Sequence, residues 1–387
     1  MDVSGSAALD LRTHRALQLM QGFAHRTGVD DEAPQQRYLW TDALAVENLL
    51  SLAQATGEER YVELAVHLVD LVHRTLGRHR DDDRRSGWLS GLSELGAATH
   101  PTWGGLRIGK PLPERKWDEP LDELLEWERD GQYFHYLTRW MRALDSLARH
   151  TRDGRYNRWA RELAAVAFAA FTIENPGAKK RLVWKMSIDL SRPLVTSQGK
   201  HDALEGLITC GQLQATAEQQ GLFGDGGPSL REERAGFEEM TRSDHAWSTS
   251  DPLGLGELLS DAWRVRQLET EGRGFEHPLL TRLLSSALEG MAQFASSNGL
   301  GRPALARLPF RELGLAIGLH TLQRLAEEST LPSADVELLD AMRPALVLGA
   351  EIDAYWLEPG HRNSSSWMEH RELNEVTLAA SLLQAPR

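Results

Sequence analysis

Between Trp127 and Tyr136 the chain sets Glu128, Asp130 and His135 among aromatic rings. Two carboxylates flanking a glycosidic bond are the usual machinery of glycoside hydrolysis, one as general acid and the other as base or nucleophile. Asp130 is therefore expected as general acid or base, with Glu128 or Asp189 as its partner. A simpler role is open to Asp130, the N-cap of a helix starting near Gln132. His135 stands between Phe134 and Tyr136 and is a candidate acid/base, since unperturbed imidazole titrates near neutrality. A packed, hydrogen-bonded core histidine is the alternative.

A second group of residues offers binding rather than bond-breaking. Arg181–Leu190 alternates with period two, so an extended strand projects Lys185 and Asp189 to one side, with Arg192 just beyond. Such a lysine either pairs with a carboxylate or polarises substrate oxygens. His201-Asp202, at the opening of a helix, reads as an acid/base or metal pair, or as a helix cap at Asp202. The Gly-rich run Trp103–Lys110 lacks P-loop or dinucleotide spacing; its Arg107 and Lys110 suit an anionic or hydroxylated substrate. His370 precedes the last helix and is expected to reach the same place. The mixed run Arg78–Arg85 is expected to pair with itself on the surface. Tryptophan is over-represented, with 12 Trp against 9 Phe and 6 Tyr, and its flat face with one N–H donor suits sugar rings.

The composition narrows the partners. A net charge of −13 disfavours nucleic acid and anionic membrane surfaces, and no apolar run approaches the ~20 residues of a membrane helix. The single Cys210 leaves no internal disulfide and no multi-thiolate zinc site. No cofactor or metal is expected. Met1–Asp10 lacks the basic and apolar regions of a secretory signal, so a cytoplasmic location is expected. The partner expected is a sugar-like small molecule; the oligomeric state is left open.

What positions these residues is a set of helices. Apolar periodicity and Gly or Pro punctuation place them at 9–26, 38–55, 58–76, 132–150, 156–171, 202–219, 229–241, 252–269, 278–296, 310–328, 335–353 and 371–383. Strand-like sequence is scarce, with 181–190 the best candidate. Tyr38-Leu39-Trp40 leading to Arg60-Tyr61 is echoed by Tyr136-Leu137-Thr138 leading to Arg155-Tyr156. Repeated helical hairpins that cannot bury their faces alone imply a closed or stacked array.

With the hairpin phrase from Trp40 to Ala65, the chain resembles the six-hairpin superfamily, which includes glycoside hydrolases, unsaturated-uronyl hydrolases and the N-acylglucosamine 2-epimerase group. The resemblance implies one all-α domain over 1–387, an (α/α)6 toroid of about twelve helices with little β structure and long loops on one rim. It also implies a central funnel, to which Trp40 and Asp42 of the phrase and Trp103 are assigned as substrate-binding residues. The leading reading is an intracellular glycoside hydrolase. A histidine-based sugar epimerase, a terpenoid-cyclase or lyase-type toroid with an apolar funnel, and a non-catalytic binding toroid are the alternatives.

Overall fold

The computed structural model describes residues 10–30, 36–174, 180–222, 224–243, 247–275, 277–297 and 299–384. Its long helices are α1 Leu11–Arg26, α2 Leu39–Thr56, α3 Arg60–Leu76, α4 Phe134–Thr151, α5 Gly154–Phe171, α6 Asp202–Gln219 and α7 Arg231–Ser243. They continue with α8 Pro252–Thr270, α9 Leu279–Ser296, α10 Pro309–Ala326, α11 Ser333–Met342, α12 Val347–Leu357 and α13 Arg371–Gln384. Several starts are set by local chemistry. Asp10, Asp153 and Asp251 cap α1, α5 and α8 by accepting from backbone N–H groups. Gly57 closes α2 in the left-handed conformation at φ 70°.

Two kinds of helix alternate. In α3, Tyr61, Val62, Ala65, Leu68, Val69, Val72 and Leu76 are buried, the single stripe of a helix with one face in solvent. In α2, burial runs without a break from Leu39 to Val46, as expected of a helix covered on all sides. The covered helices α2, α4, α6, α8, α10 and α13 pack each on the next, and α13 returns to α2. They form a closed inner ring. The outer layer is α3, α5, α7, α9 and the α11–α12 pair, with α1 packed against α13. The first and last long helices thus share one hairpin, tied by Arg26 to Glu372 at 2.8 Å and 3.0 Å. Each inner helix is separated from the next by a returning outer one, so all six inner N-termini open on the same rim. The architecture is the all-α (α/α)6 toroid.

Three details differ from the sequence expectations. The helix expected over 335–353 is two helices, because Pro344 lacks an N–H and forces a 3-10 turn at Arg343–Ala345. The strand expected over 181–190 is interrupted. Arg181–Leu182 pairs with Thr172–Ile173, whereas Lys185–Met186 pairs with Gln132–Tyr133 on one side and Pro193–Val195 on the other, with a register shift between Lys185 and Met186. The repeat is also phased differently. Tyr38 and Tyr133 are the residues preceding α2 and α4, so Tyr133, not Tyr136, is the counterpart of Tyr38. Among the described residues no helix is long and apolar enough to cross a membrane.

Candidate functional site

The long segment between α3 and α4, together with the three-stranded patch, forms the rim, and buried ions hold it. Asp130 is completely buried. Its carboxylate faces Arg107 at 2.6 Å and Arg80 at 3.3 Å and accepts from the N–H groups of Gly109 and Gly131, each at 3.0 Å. Arg107 also donates to the carbonyls of Thr75 and Arg78. Lys185, likewise completely buried, donates to the Glu126 carboxylate at 2.9 Å and to the carbonyls of Glu126 and Arg129 at 2.7 and 2.8 Å. Burial lowers its pKa, and Glu126 opposes that. Gln132 ties its strand to two loops, accepting from Leu106 N–H and donating to the carbonyls of Gly104 and Ile188.

This scaffold surrounds a 900 Å³ cavity at the N-terminal ends of the inner helices. Tyr38, Trp40, Tyr133, His135, Tyr136 and Trp184 form its aromatic wall, and Trp127 extends that wall toward solvent with 47% of its surface exposed. The charged lining includes Lys110, Glu128, Arg311, Glu369, His370, Arg371 and Glu372. Of these, Arg311 pairs with Asp251, Glu372 with Arg26, and Arg371 with Glu375 at 2.9 Å. Lys110 Nζ lies 5.5 Å from the centre of the Tyr38 ring. Beneath the wall, Arg139 stacks on Trp40 at 4.2 Å and pairs with Glu257. Charged groups therefore occupy the barrel axis below the funnel.

The electrostatics of the wall follow from burial. His135 is pushed down to about 3, by burial first and the Arg139 charge second, so its ring is neutral across the physiological range. Burial raises Tyr38 to about 12 and raises Tyr133 and Tyr136 as well. The Tyr38 and Tyr136 hydroxyls meet at 2.5 Å across α2 and α4. The Glu128 carboxylate adds to the upward shift of Tyr38 and Tyr133.

Among the residues expected at the site, the structure brings Glu128, His135, Trp40, Lys110 and His370 to the cavity. The others lie elsewhere. Asp130 and Arg107 are spent on each other and on backbone groups, and Asp130 is not an N-cap, since α4 starts at Phe134. Lys185 and Asp189 do not act together. The register shift turns Lys185 inward to Glu126, while Asp189 faces Arg85 at 2.5 Å and accepts from Ser187 and Ser191. Burial alone would raise Asp189, but those bonds and Arg85 bring it down to about 2. Asp42 is buried, accepts from Tyr38 N–H at 3.2 Å and lies 3.6 Å from Arg37; burial lifts it to about 6. Trp103 stacks on His100 outside the funnel, Arg192 bonds the Arg115 carbonyl, and His201 lies 2.8 Å from the Trp247 carbonyl. The Arg78–Arg85 run pairs with itself only in part, through Arg80–Asp82 and Arg85–Asp83. Contrary to a purely self-paired surface, Arg80 also reaches the buried Asp130, Arg85 reaches Glu114 and Asp189, and Arg78 reaches Glu94. Sequence reasoning missed Tyr38, Tyr133, Trp184 and Phe310. The available signal was an aromatic residue at or just before an inner-helix start, a pattern shared by Tyr38, Tyr133 and Phe310.

No protein-family model matches the chain, and a search of curated proteins finds no match. Solved structures do match it in shape. An inactive variant of the α-1,6-mannanase GH76A of Salegentibacter sp. HEL1_6, in complex with α-1,6-mannotriose, superposes with a TM-score of 0.56 at 11% identity, over 96% of this chain and 99% of that one. A family 76 glycoside hydrolase from a bovine Bacteroides thetaiotaomicron strain gives 0.53 at 10% identity, over 98% and 77%. The cellobiose 2-epimerase of Spirochaeta thermophila DSM 6192 gives 0.50 at 13% identity, over 97% and 98%. The chain thus folds as a six-hairpin (α/α)6 toroid, the architecture it shares with family 76 mannanases and cellobiose 2-epimerases.

Proposed function

We propose that this protein is a carbohydrate-active enzyme that takes a sugar into the funnel at the N-terminal rim. The observation that carries the reading is the aromatic wall. Trp40, Trp127 and Trp184, with three tyrosines, line a cavity whose volume falls within the ~300–1,000 Å³ of small-molecule sites. Such rings offer apolar faces to the C–H side of a pyranose, while Tyr and Trp polar atoms remain for its hydroxyls. The likeness to a mannanase bound to mannotriose supports the same reading.

Hydrolysis of a glycoside is the chemistry favoured. Glu128 lines the cavity and is exposed to it, and Glu369 is a second lining carboxylate. With Asp130 and Asp189 engaged elsewhere, Glu128 is the carboxylate best placed to act as general acid or base. Epimerisation is the second reading, supported by His370 in the same lining. His135 is a poor base for it, because a group titrating at about 3 has little proton affinity at neutral pH. The single cysteine agrees with a reducing, cytoplasmic setting.

The test is Glu128→Gln, assayed on α-1,6-mannobiose, α-1,6-mannotriose and cellobiose. Loss of general acid–base action lowers the rate by at least ~100-fold, with stability unchanged because Glu128 is exposed. Full activity in that variant rejects the hydrolase assignment. Deuterium uptake at sugar C2 in D2O, abolished by His370→Asn, favours the epimerase.

A further inference from the structure

Two polar atoms of the aromatic wall share an unusual state; elsewhere in the lining Arg311 Nε is also without a hydrogen-bond partner among the described residues, though the Arg311 guanidinium pairs with Asp251. Tyr133 Oη and His135 Nδ1 are buried and have no hydrogen-bond partner among the described residues. Tyr133 as a whole is only 2% exposed, yet it lines the cavity together with His135. Their rings are neighbours, with centroids 5.4 Å apart, and both lie against Trp184, at 4.9 Å from Tyr133 and 6.0 Å from His135. The contrast with α2 is informative. Tyr38, the counterpart of Tyr133, has its hydroxyl satisfied by Tyr136. A buried donor or acceptor left without a partner costs free energy, so an orphaned pair in a cavity wall points to a ligand group that completes it.

We propose that Tyr133 Oη and His135 Nδ1 form a hydroxyl-reading pair, which binds one hydroxyl of a neutral sugar and sets which sugar the funnel accepts. The proposal rests on the sugar reading of this cavity. The phenol O–H donates, and the imidazole nitrogen accepts or donates according to tautomer. A sugar hydroxyl is both donor and acceptor and so satisfies both atoms at once. A carboxylate satisfies both atoms only in the Nδ1–H tautomer and an ammonium only in the other, and neither meets a countercharge in the pair. Burial keeps both side chains uncharged at neutral pH, so the pair offers no ionic attraction to a charged substituent. Trp184 lies against both rings, and the proposal requires that ring to give way so that the hydroxyl enters a dry setting, where a missing partner is felt most. Sites that satisfy a substrate hydroxyl in this way reject analogues lacking it far better than apolar pockets reject a lost methylene. His135 then acts in recognition, not in proton transfer.

The experiment uses the full chain and its tryptophan fluorescence. D-mannose, D-glucose, cellobiose and α-1,6-mannotriose are titrated first, followed by the monodeoxy forms of the tightest binder. The wild type is expected to bind one deoxy form about tenfold more weakly than the parent. In Tyr133→Phe the parent weakens by a similar factor and that preference disappears, while Tm stays at or above the wild-type value, because the hydroxyl had no protein partner to lose. His135→Gln removes the preference for the same hydroxyl. Wild-type affinities for the parent and all deoxy forms in Tyr133→Phe, a lowered Tm in that variant, or a preference for a different hydroxyl lost in His135→Gln would each overturn the pair. If none of the four sugars binds the wild type, the sugar reading of the funnel itself fails, before any substitution is made, and the pair fails with it.

Discussion

Arg107 Nη1 and Asp130 Oδ2 stand 2.6 Å apart, with Asp130 wholly enclosed and Arg107 nearly so. The pair joins the Gly-rich run to the strand that leads into α4, and with it fixes the entry of Tyr133 and His135 into the wall. Removing one partner of such a pair leaves an uncompensated buried charge and costs about 3–5 kcal/mol. Asp130→Asn is therefore expected to lower the urea midpoint strongly, measured alongside sugar binding. An unchanged midpoint with activity gone would return Asp130 to the chemistry.

Acid sensitivity follows from two imidazoles, His73 enclosed in the core and His135 half-buried in the cavity wall. Burial lowers His73 to about 3, and burial with Arg139 does the same to His135. Between about pH 6.5, where an unfolded histidine takes its proton, and pH 3, the unfolded chain holds a proton that the folded one refuses. Stability is thus fully present above the unfolded value and falls with acidification, by up to ~1.4 kcal/mol per pH unit for each histidine. Urea titrations at pH 7, 6, 5 and 4.5 read this slope. His73→Gln keeps an acceptor for Trp140 Nε1, now 3.1 Å from His73 Nε2, and should flatten the curve. An undiminished slope in that variant counts against a buried neutral His73.

Trp127 separates binding from folding. It is 47% exposed and touches Trp184 edge-on at 4.8 Å. Trp127→Ala should lower sugar affinity by up to ~10-fold, the scale of an aromatic contact, with little change in Tm. Unaltered affinity would remove the outer part of the wall from the binding site.

Gly109 is a backbone device of the funnel. Its φ of +91° is one that residues with a Cβ rarely adopt, and an added Cβ would sit 2.1 Å from the Arg37 carbonyl oxygen. Gly109→Ala is expected to cost more than ~1 kcal/mol and to displace Lys110 and Pro111, which line the cavity. Both Tm and sugar affinity should fall together. An alanine variant as stable as wild type would show that the loop has room the structure does not give it.

Much of the architecture was legible because it rests on periodicity. Helix positions from α1 to α10 and α13 follow apolar spacing and caps, and the scarcity of β structure follows from the scarcity of alternation. The break at Pro344 was missed although the residue that causes it is in plain view. The phase of the repeat was missed because matching Tyr38 to Tyr136 looks as good on paper as matching it to Tyr133. Local similarity does not say which tyrosine precedes the first helical turn.

The all-α class, the hairpin pattern and the gathering of aromatic residues around Glu128 and His135 were determined by the sequence itself, since local propensity and apolar spacing suffice for them. Which carboxylate meets the cavity was decided only by the tertiary structure. Asp130 and Glu128 are two residues apart, yet one is enclosed by Arg107, Arg80 and two N–H groups while the other faces open space. The partners that make this difference come from 23 and 50 positions away along the chain. A charge's role depends on the groups that surround it, and here those are assembled by the folding of the long segment between α3 and α4, not by spacing.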